Sequence, residues 1–354
     1  MPTPQELLEL LRRVKYPGFN RDIVSFGMVR DIQLGSRSVT VELSTTSENA
    51  EALEAIRREI AALVHDATDL AVEIVVETTR PAAPPRPASR PKPHIPGVGA
   101  IVAIASGKGG VGKSTVATNV ACALATKGLR TGLLDADAYG PSVSAMLGVG
   151  GDQPLREGRR IIPVERYGVR AISMGMFLGE RSPVIWRGPM VTKLITEFFR
   201  NVVWGELDYL ILDLPPGTGD AQLAVAQQVP LAGGVVVTTP QDVALLDVRR
   251  GITMFEQLQA PVLGVIENMS YHLCGGCGAR AEIFGHGGGE KMARQFGVPF
   301  LGEIPLVRAI RAAGDAGTPI VVSDPAHPQS RVFAEIAGAV DAQVCERAAG
   351  IVTH

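Results

Sequence analysis

The stretch IVAIASGKGGVGKST, residues 101–115, is an apolar run followed by a glycine-rich loop and the start of a helix near Lys113. Residues 107–114 match the pattern G-x-x-x-x-G-K-[ST] in the strand–loop–helix context that gives this pattern meaning. Glycines let backbone N–H groups wrap a phosphate, and the helix N-terminus adds partial positive charge. We therefore expect Lys113 to reach the β- and γ-phosphates of a nucleotide and Ser114 to bind Mg²⁺. The predicted nucleotide-binding residues of the loop are Gly107, Gly109, Gly110, Val111, Gly112, Lys113, Ser114 and Thr115.

Short apolar runs continue to alternate with helical patterns after this loop. Each run is buried on both faces in the way that parallel strands are. The pattern predicts an α/β fold, a doubly wound and mostly parallel sheet, for a P-loop NTPase domain over residues 98–354. The predicted strands cover residues 101–105, 131–135, 169–173, 209–214, 234–239 and 261–267.

Residues 1–79 have a different pattern, which predicts a small α+β domain of order αββαβ. Thr3 and Glu6 form a capping box before an amphipathic helix, and strands are expected at 26–34, 38–43 and 71–76, with a second helix capped by Ser47. Residues 80–97, RPAAPPRPASRPKPHIPG, contain seven prolines and four basic residues without an acid, so neither a helix nor a sheet can form there. We predict a linker.

Composition excludes several classes of protein. The chain has 354 residues, and its 34 basic and 36 acidic residues give a net charge of −2, which provides no general attraction to nucleic acid or to anionic membranes. The N-terminus lacks a signal-peptide layout, and no apolar run approaches the ~18 residues of a membrane span. A cytoplasmic protein without nucleic-acid or membrane partners is expected.

Carboxylates follow two of the predicted strands, at the sheet edge where open α/β folds bind ligands. Asp135 and Asp137 lie at the C-terminal end of one strand, and Asp213 lies at the end of another. We expect Asp137 to orient the attacking water, Asp135 to lie behind the Mg²⁺ ligands, and Asp213 to polarise a Mg²⁺-bound water. Asn268 follows a third strand and is either an adenine-binding amide or a simple turn former. The chain has no N-K-x-D guanine motif, which favours ATP over GTP.

Cys274 and Cys277 form a CxxC flanked by glycines, whose two thiolates can chelate one metal centre. A redox pair, a zinc knuckle and an iron–sulfur ligand pair are the alternatives, and the redox alternative is weak because the pair follows a late strand. A 4Fe–4S cluster or a Zn–Cys₄ site needs four thiolates. Cys122 belongs to the apolar face of the loop helix and Cys345 has no sequence neighbour, so two cysteines from each of two chains, a homodimer, is the simplest solution.

These motifs resemble a known family. KGGVGKS, with its second lysine Lys108, is similar to the deviant Walker A loop of the MinD/ParA/Mrp superfamily. Together with DADAYGPS, WRGPM, DLPPGTGD, NMS and the CxxC before residues 283–285, it resembles the Mrp/ApbC family of iron–sulfur cluster carrier ATPases. Residues 1–79 resemble the small domain fused to bacterial members.

The resemblance implies an ATPase that passes a labile 4Fe–4S cluster, bound by Cys274 and Cys277 of both chains of a homodimer, to apo-proteins. It also implies assembly scaffold proteins as partners and ATP with Mg²⁺ as cofactors. In this family the extra lysine reaches the partner's nucleotide, so the implied catalytic residues are Lys108, Lys113, Asp137 and Asp213.

The chain departs from the family pattern in two places. Gly275 stands where members carry proline, which loosens the loop but keeps both thiolates. Residues 44–49 lack the cysteine of stand-alone relatives of the small domain, so we expect that domain to bind partners rather than metal. The alternatives are a MinD/ParA-like positioning ATPase, disfavoured by a C-terminus whose only base is Arg347, and a dimer with a structural Zn–Cys₄ site.

Overall fold

A computed structural model describes residues 3–15, 22–25, 28–35, 38–45, 50–68, 70–78, 94–177, 188–217 and 219–350. The chain divides into two compact units, Met1–Arg90 and Pro91–His354. Among the described residues no helix is both long enough and apolar enough to cross a membrane. Ser47, most of the predicted linker, and Trp186 and Arg187 of the WRGPM motif lie outside the described residues.

The first unit begins with the predicted capping box. Thr3 Oγ1 accepts a hydrogen bond from the Glu6 N–H at 3.3 Å, and a carboxylate oxygen of Glu6 accepts one from the Thr3 N–H at 2.7 Å, which confirms the sequence prediction. The first two strands of a three-stranded sheet pair antiparallel and the last two pair parallel, with both helices contributing buried side chains to the core. The elements are α1 (Pro4–Leu11), β1 (Val29–Leu34), β2 (Ser38–Thr45), α2 (Ala50–Thr68) and β3 (Ala71–Thr78).

The second unit is a large α/β domain. Its helices lie on both sides of a central sheet, and a 3₁₀ turn covers Met174–Met176. The elements are β4 (Val98–Ala105), α3 (Lys113–Thr126), β5 (Thr131–Asp135), α4 (Val143–Met146), β6 (Arg156–Glu157), β7 (Arg160–Ile161), β8 (Val164–Arg166), β9 (Val169–Ser173), α5 (Gly188–Asn201), β10 (Leu207–Asp213), α6 (Asp220–Ala226), β11 (Gly233–Thr238), α7 (Asp242–Gln257), β12 (Val262–Leu273), β13 (Arg280–Ala281), α8 (Gly288–Gln295), β14 (Phe300–Leu306), α9 (Arg308–Asp315), α10 (Ile320–Ser323) and α11 (Pro328–Ala348).

The central sheet confirms the predicted doubly wound, mostly parallel architecture. Strands β14, β12, β11, β4, β10, β5 and β9 run parallel in that order, while β8 and β13 pair antiparallel with their neighbours. All six predicted strands are present among them. Every residue of β5 and β11 is buried, because apolar clusters cover both faces of the sheet.

The structure differs from the sequence prediction at two boundaries. The strand predicted to end at Glu267 runs on to Leu273 because it pairs with β14 and β13 at its far end, and it does so although Met269 within it has a left-handed conformation (φ +56°). Asn268 therefore lies within β12 and not at its end. Ile95 is buried in the core of the second unit, so the last residues of the predicted linker, from His94, pack with that unit.

Candidate functional site

The glycine-rich loop joins β4 to α3 and encloses a cavity of about 220 Å³. Gly110 and Gly112 have φ near +80°, a conformation that L-residues with a side chain adopt only under strain. A Cβ at Gly112 would also collide with the amide of Asn268. The cavity is lined by Ser106, Lys108, Gly109, Gly110, Gly112, Lys113, Ser114, Thr115, Asp137, Gly140, Ser142, Met146 and Pro216, so the structure brings together most of the predicted phosphate-binding residues.

Lys113 and Asp213 form an ion pair at the base of this cavity. Lys113 Nζ lies 2.5 Å from Asp213 Oδ1 and 3.3 Å from Ser114 Oγ, and both charged side chains are almost completely buried. Burial raises the pKa of Asp213, and the ammonium of Lys113 opposes that shift. Asp213 Oδ2 has no hydrogen-bond partner among the described residues. A buried, unpartnered carboxylate oxygen close to a serine hydroxyl is a donor set that suits Mg²⁺.

Two aspartates at the end of β5 and just beyond it, Asp135 and Asp137, have different surroundings in the structure. Asp135 is fully buried and accepts hydrogen bonds from Ser173 Oγ at 2.8 Å and from the N–H groups of Asp137 and Val143. Burial, followed by the nearby charge of Asp213, raises the pKa of Asp135 to about 7. Asp137 lines the phosphate cavity. Asp137 therefore lines the cavity at the glycine-rich loop, whereas Asp135 is held in the core by its hydrogen bonds and is not among the residues that line it.

Lys108 also lines the phosphate cavity, and its ammonium makes one hydrogen bond at the start of α7. Lys108 Nζ donates to Gln241 Oε1 at 3.2 Å, and Gln241 is the N-cap residue of α7. This contact holds the ammonium at the mouth of the loop. The predicted reach of Lys108 into a partner chain stays a prediction.

A second and larger cavity, of about 670 Å³, adjoins the phosphate cavity and shares Gly112, Thr115, Ser142 and Met146 with it. Asn268 lines this cavity and donates from Nδ2 to the carbonyl of Val111 at 2.8 Å, so its amide nitrogen is already used by the phosphate loop. Its wall also includes the apolar side chains of Pro305, Leu306 and Val307 at the end of β14 and of Ile310 on α9, and α9 adds the charged residues Arg311 and Asp315. The size and the apolar wall suit an adenosine group.

The residues of this wall were missed by sequence reasoning. Strand β14 was not predicted, although FLGEIPL at residues 300–306 is a short run rich in apolar residues. Residues 305–307 lie near the phosphate loop because β14 pairs with β12 in the sheet. A local sequence pattern cannot predict which strand β14 pairs with.

The cysteine pair lies in the turn of a hairpin formed by β12 and β13. The Cys274 N–H donates to the carbonyl of Ala279, and the Cys274 carbonyl accepts from the Gly278 N–H. Cys274 is half-buried and Cys277 is exposed. The N–H groups of Cys277 and then Gly276 hold the pKa of the Cys274 thiol below its usual range. A thiolate is thereby favoured, and thiolates are what metal centres bind.

The remaining two cysteines are separate from the hairpin. Cys122 lies on α3 and is buried in the core, where burial raises the pKa of its thiol to about 12. Cys345 is exposed on α11, with Sγ 3.8 Å from Asp341 Oδ1.

A polar cluster that the sequence did not reveal lies at the base of the hairpin. Ser270 Oγ contacts carboxylates of Glu267 and Glu303 and the ring of His286. Glu267 is fully buried and accepts from the N–H groups at the start of α8. The two carboxylates and the imidazole lie within 4.8 Å of one another. The guanidinium of Arg280, 3.6 Å from Glu303, already supplies a positive charge there.

Comparison with known proteins accounts for both units. The family described as NUBPL iron-transfer P-loop NTPase matches residues 97–341, and the family described as iron-sulfur cluster assembly protein matches residues 4–78. A curated relative from Synechocystis, named iron-sulfur cluster carrier protein, is 44% identical over 350 residues, which cover 97% of this chain and 98% of the relative.

Two solved structures resemble the second unit. A nucleotide-binding protein from Archaeoglobus fulgidus, in complex with ADP and with cobalt found in it, superimposes with a TM-score of 0.56 and 39% identity over 62% of this chain and 87% of its own. The cell division ATPase MinD of Pyrococcus furiosus superimposes with a TM-score of 0.52 and 22% identity over 69% of this chain and 99% of its own, which shows a shared fold.

Proposed function

Because this chain belongs to the family of iron-transfer P-loop NTPases, we propose that it carries a labile 4Fe–4S cluster and passes it to apo iron–sulfur proteins under the control of ATP. The observation that supports this most directly is that β12 contacts the phosphate loop and leads directly into the turn that carries the thiol pair. Asn268, bonded to the loop, precedes Cys274 by only six residues of β12 and the hairpin turn. One chain thus combines a nucleotide site with a metal-binding turn.

The nucleotide chemistry follows from the buried ion pair. The side chain of Lys113 would move so that its ammonium leaves Asp213 and contacts the β- and γ-phosphates. The carboxylate of Asp213 would then be available to Mg²⁺. Ser114 and Asp213 would hold Mg²⁺, which when bound neutralises charge on the phosphates. Asp137 would orient the attacking water, and the N–H groups of residues 109–114 would bind the phosphate oxygens.

A homodimer completes both sites in this proposal. Four thiolates for a 4Fe–4S cluster come from Cys274 and Cys277 of two chains, because Cys122 is buried and Cys345 lies on a different element. Lys108 would exchange Gln241 for the nucleotide of the partner and stabilise charge in the transition state. ATP binding would close the dimer, and hydrolysis would reopen it.

The partners of this protein in the proposal are the proteins that supply the cluster and those that receive it. Assembly scaffold proteins would supply the cluster and apo iron–sulfur proteins would receive it, in the cytoplasm. The first unit, which matches the iron-sulfur cluster assembly family, would dock these partners. It contains no cysteine in any of its residues, so it binds no cluster through a thiolate.

The deciding experiment compares the wild-type chain with a Cys274→Ala, Cys277→Ala double variant after anaerobic reconstitution. The variant should lose the broad visible absorbance of a thiolate-bound cluster and keep its affinity for ATP. Cys345→Ser is the matched control and should keep the cluster. A double variant with undiminished iron, sulfide and absorbance would refute the proposal.

Metal analysis of the same anaerobic samples separates the cluster from a structural zinc. About four iron and four sulfide per dimer supports the carrier, whereas one zinc per dimer without sulfide supports a Zn–Cys₄ site. The likeness to MinD concerns the fold. A positioning role would be supported only if the protein co-sedimented with DNA or liposomes in a salt-sensitive way.

A further inference from the structure

Strand β14 contacts both the larger cavity and the cysteine hairpin. Its last residues, Pro305 and Leu306, form part of the wall of the cavity. The carbonyl of Leu306 accepts a hydrogen bond from His272 Nδ1 at 2.9 Å. Because a carbonyl can only accept, the proton lies on Nδ1, and the bond fixes the ring against β14. His272 precedes Cys274 by two residues on the same arm of the hairpin, so this bond fastens that arm to the wall of the cavity.

The other arm of the hairpin is also fastened to β14. Arg280, in β13, places its guanidinium 3.8 Å from the ring centre of Tyr271 and 3.6 Å from the carboxylate of Glu303. Glu303 belongs to β14, and Tyr271 belongs to the first arm. Both arms that carry the CxxC turn are therefore held by side-chain contacts to one strand, at Glu303 and Leu306.

Strand β14 is also the strand whose pairing is least regular in this part of the sheet. Its register against β12 shifts twice, between Val265 and Ile266 and between Asn268 and His272. Gly302 within it has φ +144°. Strands β4, β5 and β10, by contrast, pair without a register shift. A strand with an irregular ladder can change position at lower cost than one in the regular centre of the sheet.

We propose that β14 transmits nucleotide occupancy from the larger cavity to the cysteine hairpin, with His272 and Arg280 as the positioning residues. A nucleoside that contacts Pro305 and Leu306 favours one position of the end of β14. The two strands of the cysteine hairpin move with β14 because His272 and Arg280 connect them to it. The exposure of the thiols of Cys274 and Cys277 then differs between the empty and the occupied site. This inference relies on the proposed function only for the identity of the cargo, since the linkage joins a nucleotide site and a thiol pair.

Thiol reactivity in the metal-free, reduced full-length chain tests this linkage without any cluster. The alkylation rates of Cys274 and Cys277 are measured by peptide mass spectrometry with and without Mg·ADP, and exposed Cys345 serves as an internal reference. Binding of Mg·ADP should change the rates at the CxxC by about fivefold or more, as typical coupling energies imply. In His272→Ala and in Arg280→Ala the factor should fall to about one while ADP affinity stays within about twofold.

Matched variants separate the contacts from general damage. His272→Asn retains an N–H donor and should keep most of the ADP effect. His65→Ala, which removes a similar but longer ring contact to a backbone carbonyl in the first unit, and Arg294→Ala, which removes an exposed i,i+4 ion pair on α8, should keep all of it. Retained ADP binding shows that each variant is folded.

Three results would overturn the inference: no ADP effect in the wild-type chain, an undiminished effect in both alanine variants, or equal loss in His272→Asn and His272→Ala. If the ADP effect is undiminished in both alanine variants, the coupling runs through β12 and Asn268 and not through β14. None of these results bears on cluster binding. Failure of the wild-type chain to bind a cluster would refute the proposed function and leave the linkage standing.

Discussion

Lys113 Nζ and Asp213 Oδ1 lie 2.5 Å apart in a site where the Lys113 side chain is only 5% exposed and the Asp213 side chain is fully buried. The nucleotide-free site thus neutralises its own charges. A bound nucleotide would have to separate this pair, so that the ammonium moves to the phosphates and the carboxylate to the cation. Binding is an exchange of ion partners, and the buried pair is the state from which it starts.

Replacement of Lys113 by Ala should therefore destabilise the chain as well as abolish nucleotide binding. Removal of one partner leaves a buried carboxylate uncompensated, which typically costs about 3–5 kcal/mol. Denaturant unfolding of the nucleotide-free protein measures this cost. Lys113→Ala combined with Asp213→Asn should recover most of the stability and still not bind ATP. Equal stability of Lys113→Ala and the wild-type chain would contradict the prediction.

Gly112→Ala should damage the phosphate loop for two separable reasons. The φ of +80° strains an alanine by about 1–2 kcal/mol, and the new methyl group collides with the Asn268 amide. Asn268→Ala in the same chain removes the collision but not the strain, so a double-mutant cycle should show a coupling of about 0.5–3 kcal/mol. Additive losses in denaturant unfolding would show that the loop avoids the amide in another way.

Lys108→Ala should lower the ATPase rate by about 10³-fold while ATP affinity is maintained, if the lysine acts on the partner's nucleotide in the way that an arginine finger does. Lys291→Ala, an exposed lysine on α8, is the control. Mixing the Lys108→Ala chain with a Lys113→Ala, Asp213→Asn chain should restore activity, because the second chain supplies Lys108 to the nucleotide of the first. Absence of complementation at all mixing ratios would place the action of Lys108 within its own chain.

The stability of the nucleotide-free protein should depend on pH through Asp135. Its pKa is raised to about 7 in the folded state, first by burial and then by the charge of Asp213. The folded state thus favours the neutral carboxyl, and this contribution is complete below the unfolded-state pKa of about 4 and is lost as the pH rises through about 7.

Unfolding of the wild-type chain and of Asp135→Asn at about pH 5 and about pH 8 measures this effect. The wild-type chain should lose on the order of 2–3 kcal/mol relative to the variant between these conditions. Parallel pH dependence in the two proteins would show that the carboxyl titrates outside this range.

The two cysteines outside the hairpin should be dispensable for metal binding. Cys122→Ala and Cys345→Ser should retain the same iron and sulfide content as the wild-type chain. Cys122→Ala should lower the free energy of unfolding by about 1 kcal/mol because it leaves a small gap in the core, whereas Cys345→Ser on the surface should change it little. A loss of cluster in either variant would assign that cysteine a ligand role.

The sequence predicted the parts of the fold that local patterns encode. The P-loop, the helix start at Lys113, the capping box of Thr3 and Glu6, and the six buried strands follow from short-range rules on glycines, caps and apolar runs. Cys122 was also correctly assigned to the core because the residues on either side of it in sequence, 120–121 and 123–124, are apolar.

Features that depend on contacts between distant segments could not be predicted. The bond from Asn268 to Val111 joins residues far apart in sequence, and it depends on the order of β12, β11 and β4 in the sheet. Met269 within β12 is a residue with a side chain at positive φ (+56°), which no propensity favours. The Ser270 cluster combines β12, β14 and the start of α8, so its members are not recognisable as a group in the sequence.

The placement of Cys274 and Cys277 in a hairpin turn has a chemical consequence for the proposed cargo. A cluster at this turn stays at the surface, where an acceptor's thiolates can attack its irons one at a time, so transfer requires no unfolding of the carrier. Dioxygen and small chelators have the same access. In the proposed homodimer the second chain would supply ligands and also cover the cluster, so we expect oxidative loss of the cargo to accelerate when the protein is diluted below its dimerisation constant.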